Sequence, residues 1–289
     1  MEGLIDRQPR RLALDGARNV RDLGGYTYTA EDGAVGLTAF GSFLRGDSLR
    51  RLSVRDIAHL REYGLVRVID VRSAFEVRHT RDPFSGGRHE GVDYLHIPML
   101  DQLNSSGMRA QLPACMFDVY RSLLDDASDQ MRAVFEALDA PGCVLFHCRA
   151  GKDRTGVIAM LLLGLAGVDD EQLVHDYAAT GTYLTPSMRI QRAAATVLLR
   201  RRVPRSLFVA APEEMERTVA YLHETYGSAR RYLSGHARCD AGMRVCSTAS
   251  RHACAGPPDK EPRAGRMARR AVHGAGFLPG SCRLGHPAT

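Results

Sequence analysis

The most constraining feature of the sequence is a glycine-containing loop with a strongly apolar segment on either side. Residues 143–147, CVLFH, follow the turn-forming pair Pro141-Gly142 and are typical of a buried strand. Residues 156–168 form the longest uninterrupted apolar run of the chain, thirteen residues without a polar face, and predict a buried helix at 155–166. The sequence therefore predicts a strand, loop and helix unit inside a hydrophobic core.

Length and hydropathy argue against fibrous and membrane-spanning folds. The 289 residues, 44% of them hydrophobic, can bury a sizeable core in one large domain or two small ones. The run at 156–168 is shorter than the roughly 20 residues of a bilayer-spanning helix. The first residues show neither the basic nor the apolar region of a secretory signal, so we expect a cytoplasmic protein, with signal-independent secretion left open.

Helix and strand patterns alternate through residues 1–233. Ser53 and Asp56 form a capping pattern, and Gly64 has the position of a helix-ending glycine, which together predict a helix at 53–63. The alternation predicts an α/β fold with a mainly parallel central sheet flanked by helices. The predicted strands are 65–69, 92–97 and 143–147, and the predicted helices are 53–63, 116–124, 128–138, 155–166, 169–179, 186–202 and 212–226.

The last 56 residues, 234–289, differ from the others in charge and composition. They hold nine basic and three acidic residues and so account for the whole formal net charge of +6. Thirteen of them are Gly or Pro and few are large and apolar, which predicts a basic, disordered tail after a domain at 1–233. Because the domain itself has no basic surplus, we expect no nucleic-acid partner.

The seven cysteines do not suggest a disulfide framework or a metal site. Their number is odd and no secretory signal is visible, which favours reduced thiols. The spacing of the four in the tail lacks the C-x₂₋₄-C pair of a structural zinc site, so we expect neither a metal nor another cofactor. The tail cysteines are Cys239, Cys246, Cys254 and Cys282.

The loop between the strand and the helix carries the chemistry, and residues 147–156 read HCRAGKDRTG. A glycine-containing loop at a helix N-terminus presents backbone N–H groups to an anion, and phosphate is its natural ligand. The helix dipole, Arg154 and the Thr155 hydroxyl would favour a thiolate at Cys148, while Arg154 can bind two phosphate oxygens at once. A thiolate that faces phosphorus is a nucleophile, which predicts a catalytic role for Cys148. The alternative is that Cys148 is a buried thiol that only fills the core.

This loop resembles the active-site signature of the cysteine-based protein phosphatases, in which Cys, five residues and Arg form the phosphate loop. The fuller pattern is similar to a bacterial branch of the tyrosine phosphatases that includes a secreted mycobacterial enzyme active also on phosphoinositides, and segments 19–26, 43–47 and 70–76 fit the same branch. The resemblance covers about residues 14–233 and implies a protein-tyrosine-phosphatase-like fold. It implies that Cys148 is the nucleophile, that Arg154 is the phosphate clamp, and that Lys152 and Asp153 are active-site partners. The implied phosphate-binding loop consists of Arg149, Ala150, Gly151, Lys152, Asp153 and Arg154.

The general acid that protonates the leaving group has two candidates. Asp153 lies inside the loop, and the branch that the chain resembles uses the Asp at this position. Other subfamilies use an Asp just beyond a strand, where Asp101 follows the predicted strand 92–97. Protonation of the leaving group by a general acid accelerates such a reaction by about 10²–10⁴-fold. Of the two candidates, we prefer Asp153 as this acid.

Three further polar residues have two interpretations each. Asp70, at the end of a predicted strand, either orients Arg154 or the loop backbone as part of the catalytic site, or forms a surface pair with an arginine such as Arg72. Asn19 and Asp22 either brace the same region or serve only the turn that follows them.

These residues predict a metal-independent phosphatase that forms a phosphocysteine intermediate and acts on protein phosphotyrosine. Within this class the alternative is a phosphoinositide or dual-specificity phosphatase, since Lys152 beside Arg154 would suit a polyanionic headgroup. Outside the class, the remote alternatives are a non-catalytic module that binds phosphorylated ligands and a sulfurtransferase. The expected partner is accordingly a phosphorylated protein or a phosphoinositide.

Overall fold

The computed structural model describes residues 10–99, 115–199 and 208–239, with the backbone alone at 185–195 and 197–199. All of these residues belong to one compact unit. Its strands are Arg21–Asp22 (β1), Thr27–Thr29 (β2), Val35–Leu37 (β3), Phe43–Gly46 (β4), Leu65–Asp70 (β5), Asp93–His96 (β6) and Cys143–His147 (β7). Its helices are Val54–Glu62 (α1), Ala74–His79 (α2), Met116–Asp125 (α3), Ser128–Leu138 (α4), Arg154–Ala166 (α5), Asp170–Leu199 (α6), Pro212–Tyr226 (α7) and Ala229–Arg231 (α8), followed by a π-helical turn, Tyr232–His236.

Five strands form the central sheet in the order β1-β4-β7-β5-β6, and β2 pairs with β3 in a separate hairpin. The pairs β4–β7, β7–β5 and β5–β6 are parallel, and β1 alone among the five runs antiparallel to its neighbour. This confirms the predicted α/β fold with a mainly parallel sheet. Strand β7 lies at the centre, so the loop that follows it opens at the middle of the sheet edge.

The core lies on both faces of this sheet. Along β7, Val144 and Phe146 belong to one hydrophobic cluster, while Cys143 and Leu145 belong to a second. This alternation follows from the two-residue period of a strand and shows that β7 is covered on both sides. Helix α5 packs in the first cluster with eleven of its thirteen residues buried, which explains why its sequence has no polar face.

Most predicted elements are confirmed. Helix α1 has the expected capping box, in which Ser53 and Asp56 bond each other's backbone N–H, and Gly64 follows the helix with a φ of 97°. The predicted break between helices 169–179 and 186–202 is wrong, because α6 is continuous through Gly181 and Pro186. Residues 200–202 of the second predicted helix lie outside the described residues. A proline removes only one backbone N–H, and a helix can continue through it with a local kink. None of the described helices is long and apolar enough to cross a membrane.

The packed chain continues beyond Leu233, where the sequence predicted the domain to end. Ala237 and Cys239 are 1% and 2% exposed, and their backbone N–H groups bond to the carbonyls of Tyr232 and Leu233. Cys239, to which the sequence assigned no role, therefore fills the core. The rest of the predicted tail, 240–289, lies outside the described residues.

We predict that two truncations will differ in thermal stability. A chain ending at Leu233 should melt about 2–8 °C below a chain ending at Cys239, because the missing burial and backbone bonds are worth about 1–2 kcal/mol and each kcal/mol moves the Tm of a domain of this size by about 2–4 °C. Differential scanning calorimetry of both chains beside the full-length protein measures this. Equal melting temperatures would show that residues 234–239 add nothing to the core.

Candidate active site

The candidate site lies where three parallel strands end side by side. Gly46 of β4 and Asp70 of β5 are both in register with His147, the last residue of β7. Residues 148–154, which we call the phosphate loop, connect β7 to the first residue of α5. The loop therefore combines the carboxyl edge of a parallel sheet with a helix N-terminus, where ligand sites and anion sites are respectively expected.

Cys148 lies at the bottom of this loop. It is 2% exposed, and its Sγ accepts a hydrogen bond from the backbone N–H of Gly151 at 3.2 Å. Gly151 has a φ of 66°, and a Cβ at this position would lie 2.5 Å from the Gly46 carbonyl oxygen. The loop thus needs glycine at 151 both for its backbone conformation and for its close approach to β4.

Side chains from distant parts of the chain hold the loop carbonyls away from the sulfur. Asn19 Nδ2 donates to the carbonyls of Ala150 and Gly151 at 3.0 and 3.2 Å, and Arg45 Nη2 donates to the Gly151 carbonyl at 2.8 Å. Since a peptide group is planar with N–H and C=O on opposite sides, these bonds turn the N–H groups of residues 151 and 152 toward the interior of the loop. The anion-binding conformation is therefore built in.

A buried ion cluster fixes the two side chains that hold the carbonyls. Asp176 of α6 bonds to both Arg21 and Arg45, and Arg21 Nη1 donates to Asn19 Oδ1 at 2.5 Å. Burial alone would raise the pKa of Asp176, but the charges of Arg21 and Arg45 outweigh it and hold this pKa below its usual range. Asp176 is thus ionised, and α6 is tied to the phosphate loop through two arginines.

Arg154, the predicted phosphate clamp, is oriented by Glu76. Its Nη1 and Nη2 donate to the two carboxylate oxygens of Glu76 at 2.6 and 3.1 Å. Burial opposes the charge of Arg154, but Cys148 and Glu76 nevertheless raise its pKa, so it stays a cation. A guanidinium has five N–H donors, and the fork toward Glu76 uses two of them, so others can bind phosphate.

Asp153, the preferred general acid, is 26% exposed at the rim of the loop and shares its Oδ1 with two donors. The Tyr120 hydroxyl donates to Oδ1 at 2.7 Å, and Lys152 Nζ lies 3.0 Å from it. Burial and the Asp153 charge raise the pKa of Tyr120, which therefore remains a donor. The Tyr120 and Tyr177 hydroxyls lie 2.7 Å apart, so Tyr177 also supports Asp153.

Asp70 does not orient Arg154, contrary to one of its two sequence interpretations. It bonds to Arg72 Nε and Nη2 at 2.9 and 2.6 Å and accepts the Tyr94 hydroxyl at 2.8 Å. Burial alone would raise the pKa of Asp70, but the charge of His147 and the bonds from Arg72 lower it below its usual range. The arginine pairing is thus present, although in the core and not at the surface, because the end of β5 is covered.

Asp70, Asp82 and His147 are close enough together to hold a metal ion, but the Arg72 guanidinium already pairs with the two carboxylates. Arg72 bonds to Asp70 and lies 3.9 Å from Asp82 Oδ2. His147 Nε2 is 3.2 Å from Asp82 Oδ2. This distance allows an ion pair, although the two groups are not aligned for a hydrogen bond. We interpret the group as an ion cluster beneath the nucleophile.

The other sequence candidates have separate positions. Asn19 braces the loop as described, whereas Asp22 accepts the N–H groups of Gly24 and Gly41 and so serves the turn. The buried Thr155 hydroxyl has no hydrogen-bond partner among the described residues, so the expected bond to Cys148 is not formed. Asp101 lies outside the described residues.

The sequence matches the model of a tyrosine phosphatase family over residues 12–244, and the chain belongs to this family. A tyrosine-protein phosphatase of Nostoc commune is 37% identical over 147 residues, which are 50% of this chain and 49% of the relative. The triple specificity protein phosphatase PtpB of Mycobacterium tuberculosis is 29% identical over 280 residues, 80% of this chain and 93% of the relative.

The chain spans about half the length of the Nostoc relative. Among solved structures, the crystal structure of P. aeruginosa TpbA aligns with 54% of this chain and 80% of its own, at 16% identity and a TM-score of 0.30. That likeness is too low to carry an argument. The family assignment therefore depends on the sequence comparisons.

We predict that stability will fall at alkaline pH because of His147. Burial would lower the pKa of His147, but Asp70 and Asp82 raise it from 6.5 to about 9. Because the folded pKa is higher than the unfolded one, the stabilisation is complete below pH 6.5 and is lost as the pH rises through 9. Urea unfolding across this range should show a loss of on the order of 1–3 kcal/mol. Asp82→Asn, which removes one of the two carboxylates, should flatten this pH dependence, and an unchanged slope would contradict the assignment.

Proposed function

We propose that this protein hydrolyses phosphomonoesters through a phosphocysteine intermediate. The observation that carries the proposal is the position of Cys148 Sγ, which accepts the Gly151 N–H inside a loop that Arg154 closes. Such a ring of N–H donors and one guanidinium binds a tetrahedral oxyanion with phosphorus facing the sulfur. The sulfur, the clamp and a carboxylic acid then lie around one bound phosphate.

The reaction has two displacement steps. In the first, the Cys148 thiolate attacks phosphorus, an S–P bond forms, the ester P–O bond breaks, and the departing oxygen takes a proton from Asp153. In the second, Asp153 accepts a proton from water as the water attacks phosphorus, the S–P bond breaks, and inorganic phosphate leaves with the thiolate restored. Arg154 and the loop N–H groups stabilise the oxygens of the transferred group in both steps.

The contacts of Asp153 suit this role. Tyr120 and Lys152 both approach Oδ1, so a proton can be carried on Oδ2 without breaking either contact. Lys152 also donates to the Val209 carbonyl at 3.3 Å and is 1% exposed, which keeps its ammonium beside Asp153. The acid is thus held in one orientation toward the loop.

We propose a protein phosphotyrosine as the substrate. Cys148 is 2% exposed, and a long aryl phosphate reaches a buried sulfur more easily than a short phosphoserine. The names of the Nostoc and mycobacterial relatives, a tyrosine-protein phosphatase and a triple specificity phosphatase, support this class. We place the reaction in the cytoplasm, whose reducing conditions keep the nucleophile as a free thiol like the other described cysteines.

We predict that Cys148→Ser will abolish turnover of para-nitrophenyl phosphate and retain its binding, because the hydroxyl is not ionised near neutral pH while the loop donors remain. Arg154→Lys should lower kcat/KM by about 10²-fold or more, since a point charge replaces a two-pronged clamp. EDTA should leave the wild-type rate unchanged. Steady-state kinetics and isothermal calorimetry measure these effects, and near-wild-type turnover of Cys148→Ser would remove the thiol from the mechanism.

A second prediction separates the two candidate acids. If Asp153 donates the proton, Asp153→Asn should slow phenyl phosphate strongly, by about 10²-fold or more, and para-nitrophenyl phosphate much less, because only the phenolate of the first is basic enough to need protonation. It should also remove the alkaline limb of the pH–rate profile. The matched variant Asp101→Asn should do neither.

A control covers damage to the loop, because Asp153 is adjacent to Arg154. Inhibition by inorganic phosphate shows whether the variant still has an intact anion site. If phosphate binds normally and both aryl esters are slowed equally, Asp153 is not the acid and Asp101 takes its place.

A further inference from the structure

The phosphate loop contains three basic side chains, and two of them already have partners. Arg154 forms two bonds with Glu76 and is 12% exposed. Lys152 is 1% exposed and lies 3.0 Å from Asp153 Oδ1. The sequence suggested Lys152 as a second cation for a polyanionic headgroup, but its burial and its pairing with Asp153 withdraw its charge from the surface of the site.

Arg149 differs from both. Its backbone is anchored, because the Ser48 N–H donates to its carbonyl at 3.1 Å, and it directly follows the nucleophile. Its side chain is nevertheless exposed, between the buried Cys148 and the half-buried Ala150. Within the described residues, 10–99, 115–199 and 208–239, Arg149 forms no ion pair. The exposed Arg149 side chain thus extends from an anchored backbone position one residue after the nucleophile.

We propose that Arg149 binds a carboxylate adjacent to the phosphotyrosine, so that the protein selects phosphopeptides with Asp or Glu next to the phosphorylated residue. The inference rests on the proposed phosphatase activity. A phosphate bound above Cys148 brings the residues next to the phosphotyrosine toward the surface of the loop, and Arg149 is the exposed loop residue directly after the nucleophile. The planar guanidinium fork matches a carboxylate geometrically as well as electrostatically.

The charge around the site favours one extra carboxylate over a headgroup with several phosphates. The Lys152–Asp153 and Arg154–Glu76 pairs each balance one positive and one negative charge, which leaves Arg149 as the exposed cation of the loop. A single guanidinium balances one carboxylate, whereas a multiply phosphorylated inositol would leave several of its negative charges unbalanced. We therefore commit to an acidic phosphopeptide.

The test uses peptide pairs that differ only in Glu against Gln, placed immediately before the phosphotyrosine in one pair and immediately after it in the other. For the wild type, kcat/KM should favour Glu about threefold to fivefold in at least one pair, the scale of an exposed ion pair, and added salt should reduce this ratio. Arg149→Gln should bring the ratio to about one, and Arg149→Lys should retain part of it. Because the readout is a ratio within one variant, a change in basal rate does not affect it.

Arg88→Gln is the matched control. Arg88 is also exposed, but it precedes the first residue of β6. It therefore lies toward the amino ends of the parallel strands, whereas the phosphate loop lies at their carboxyl ends. It should keep the wild-type ratio. A wild-type ratio of one in both pairs, or a ratio that survives Arg149→Gln, overturns the proposal while hydrolysis of the peptides still supports the phosphatase. Absence of hydrolysis for every peptide and for para-nitrophenyl phosphate overturns both.

A lipid arm tests the competing ligand. Short-chain phosphatidylinositol monophosphate and bisphosphate are compared in the wild type and in Arg149→Gln. If the substitution lowers turnover of the bisphosphate selectively and leaves the peptide ratio unchanged, Arg149 binds a second phosphate and the peptide proposal is wrong. Equal effects on both lipids, together with loss of the peptide ratio, support it.

Discussion

The hydrogen bonds from Asn19 and Arg45 to the carbonyls of Ala150 and Gly151 are the interaction on which the rest of the site depends. They determine the orientation of rigid peptide groups, and that orientation converts a turn into an anion site. The environment of the Cys148 sulfur and the entry into α5 follow from it. Without these two donors, the same loop sequence could turn its carbonyl oxygens inward and repel a phosphate.

This arrangement requires charges to be buried, which is costly unless each has a partner. Arg45 illustrates the compromise, because burial lowers its pKa while Asp176 opposes that shift and the Gly151 carbonyl accepts one of its N–H groups. Removing one member of the cluster of Arg21, Arg45 and Asp176 would leave an unpaired charge in the core. The cluster therefore stabilises this conformation of the loop over alternative conformations. Loop geometry and global stability are coupled in this molecule, since the same arginines serve both.

The elements whose structure depends on contiguous residues could be predicted from the local sequence pattern. Residues 143–147 and 155–166 were identified correctly because an apolar run and a glycine loop are contiguous in sequence. The partnership of Asn19, Arg45 and Asp176 could not be predicted, since 131 residues separate the last two and only the folded arrangement of β4 and α6 brings them together. The capping pattern of Ser73 and Glu76 was a visible signal for α2 that sequence analysis left unused. The roles of Asp70 and Lys152 depended on burial, which no short motif encodes.

Glu76 has two tasks that are usually separate. It closes the capping box at the start of α2, and it holds Arg154. Helix α2 is six residues long and none of them is buried, so its folding depends on that cap and on the arginine more than on packing. The helix and the clamp therefore form one unit of local unfolding, in which fraying of α2 releases Arg154. The backbone amide protons of Val77 and Thr80, which bond to Ser73 and Glu76, should consequently exchange with solvent at a rate that reports the order of the catalytic arginine.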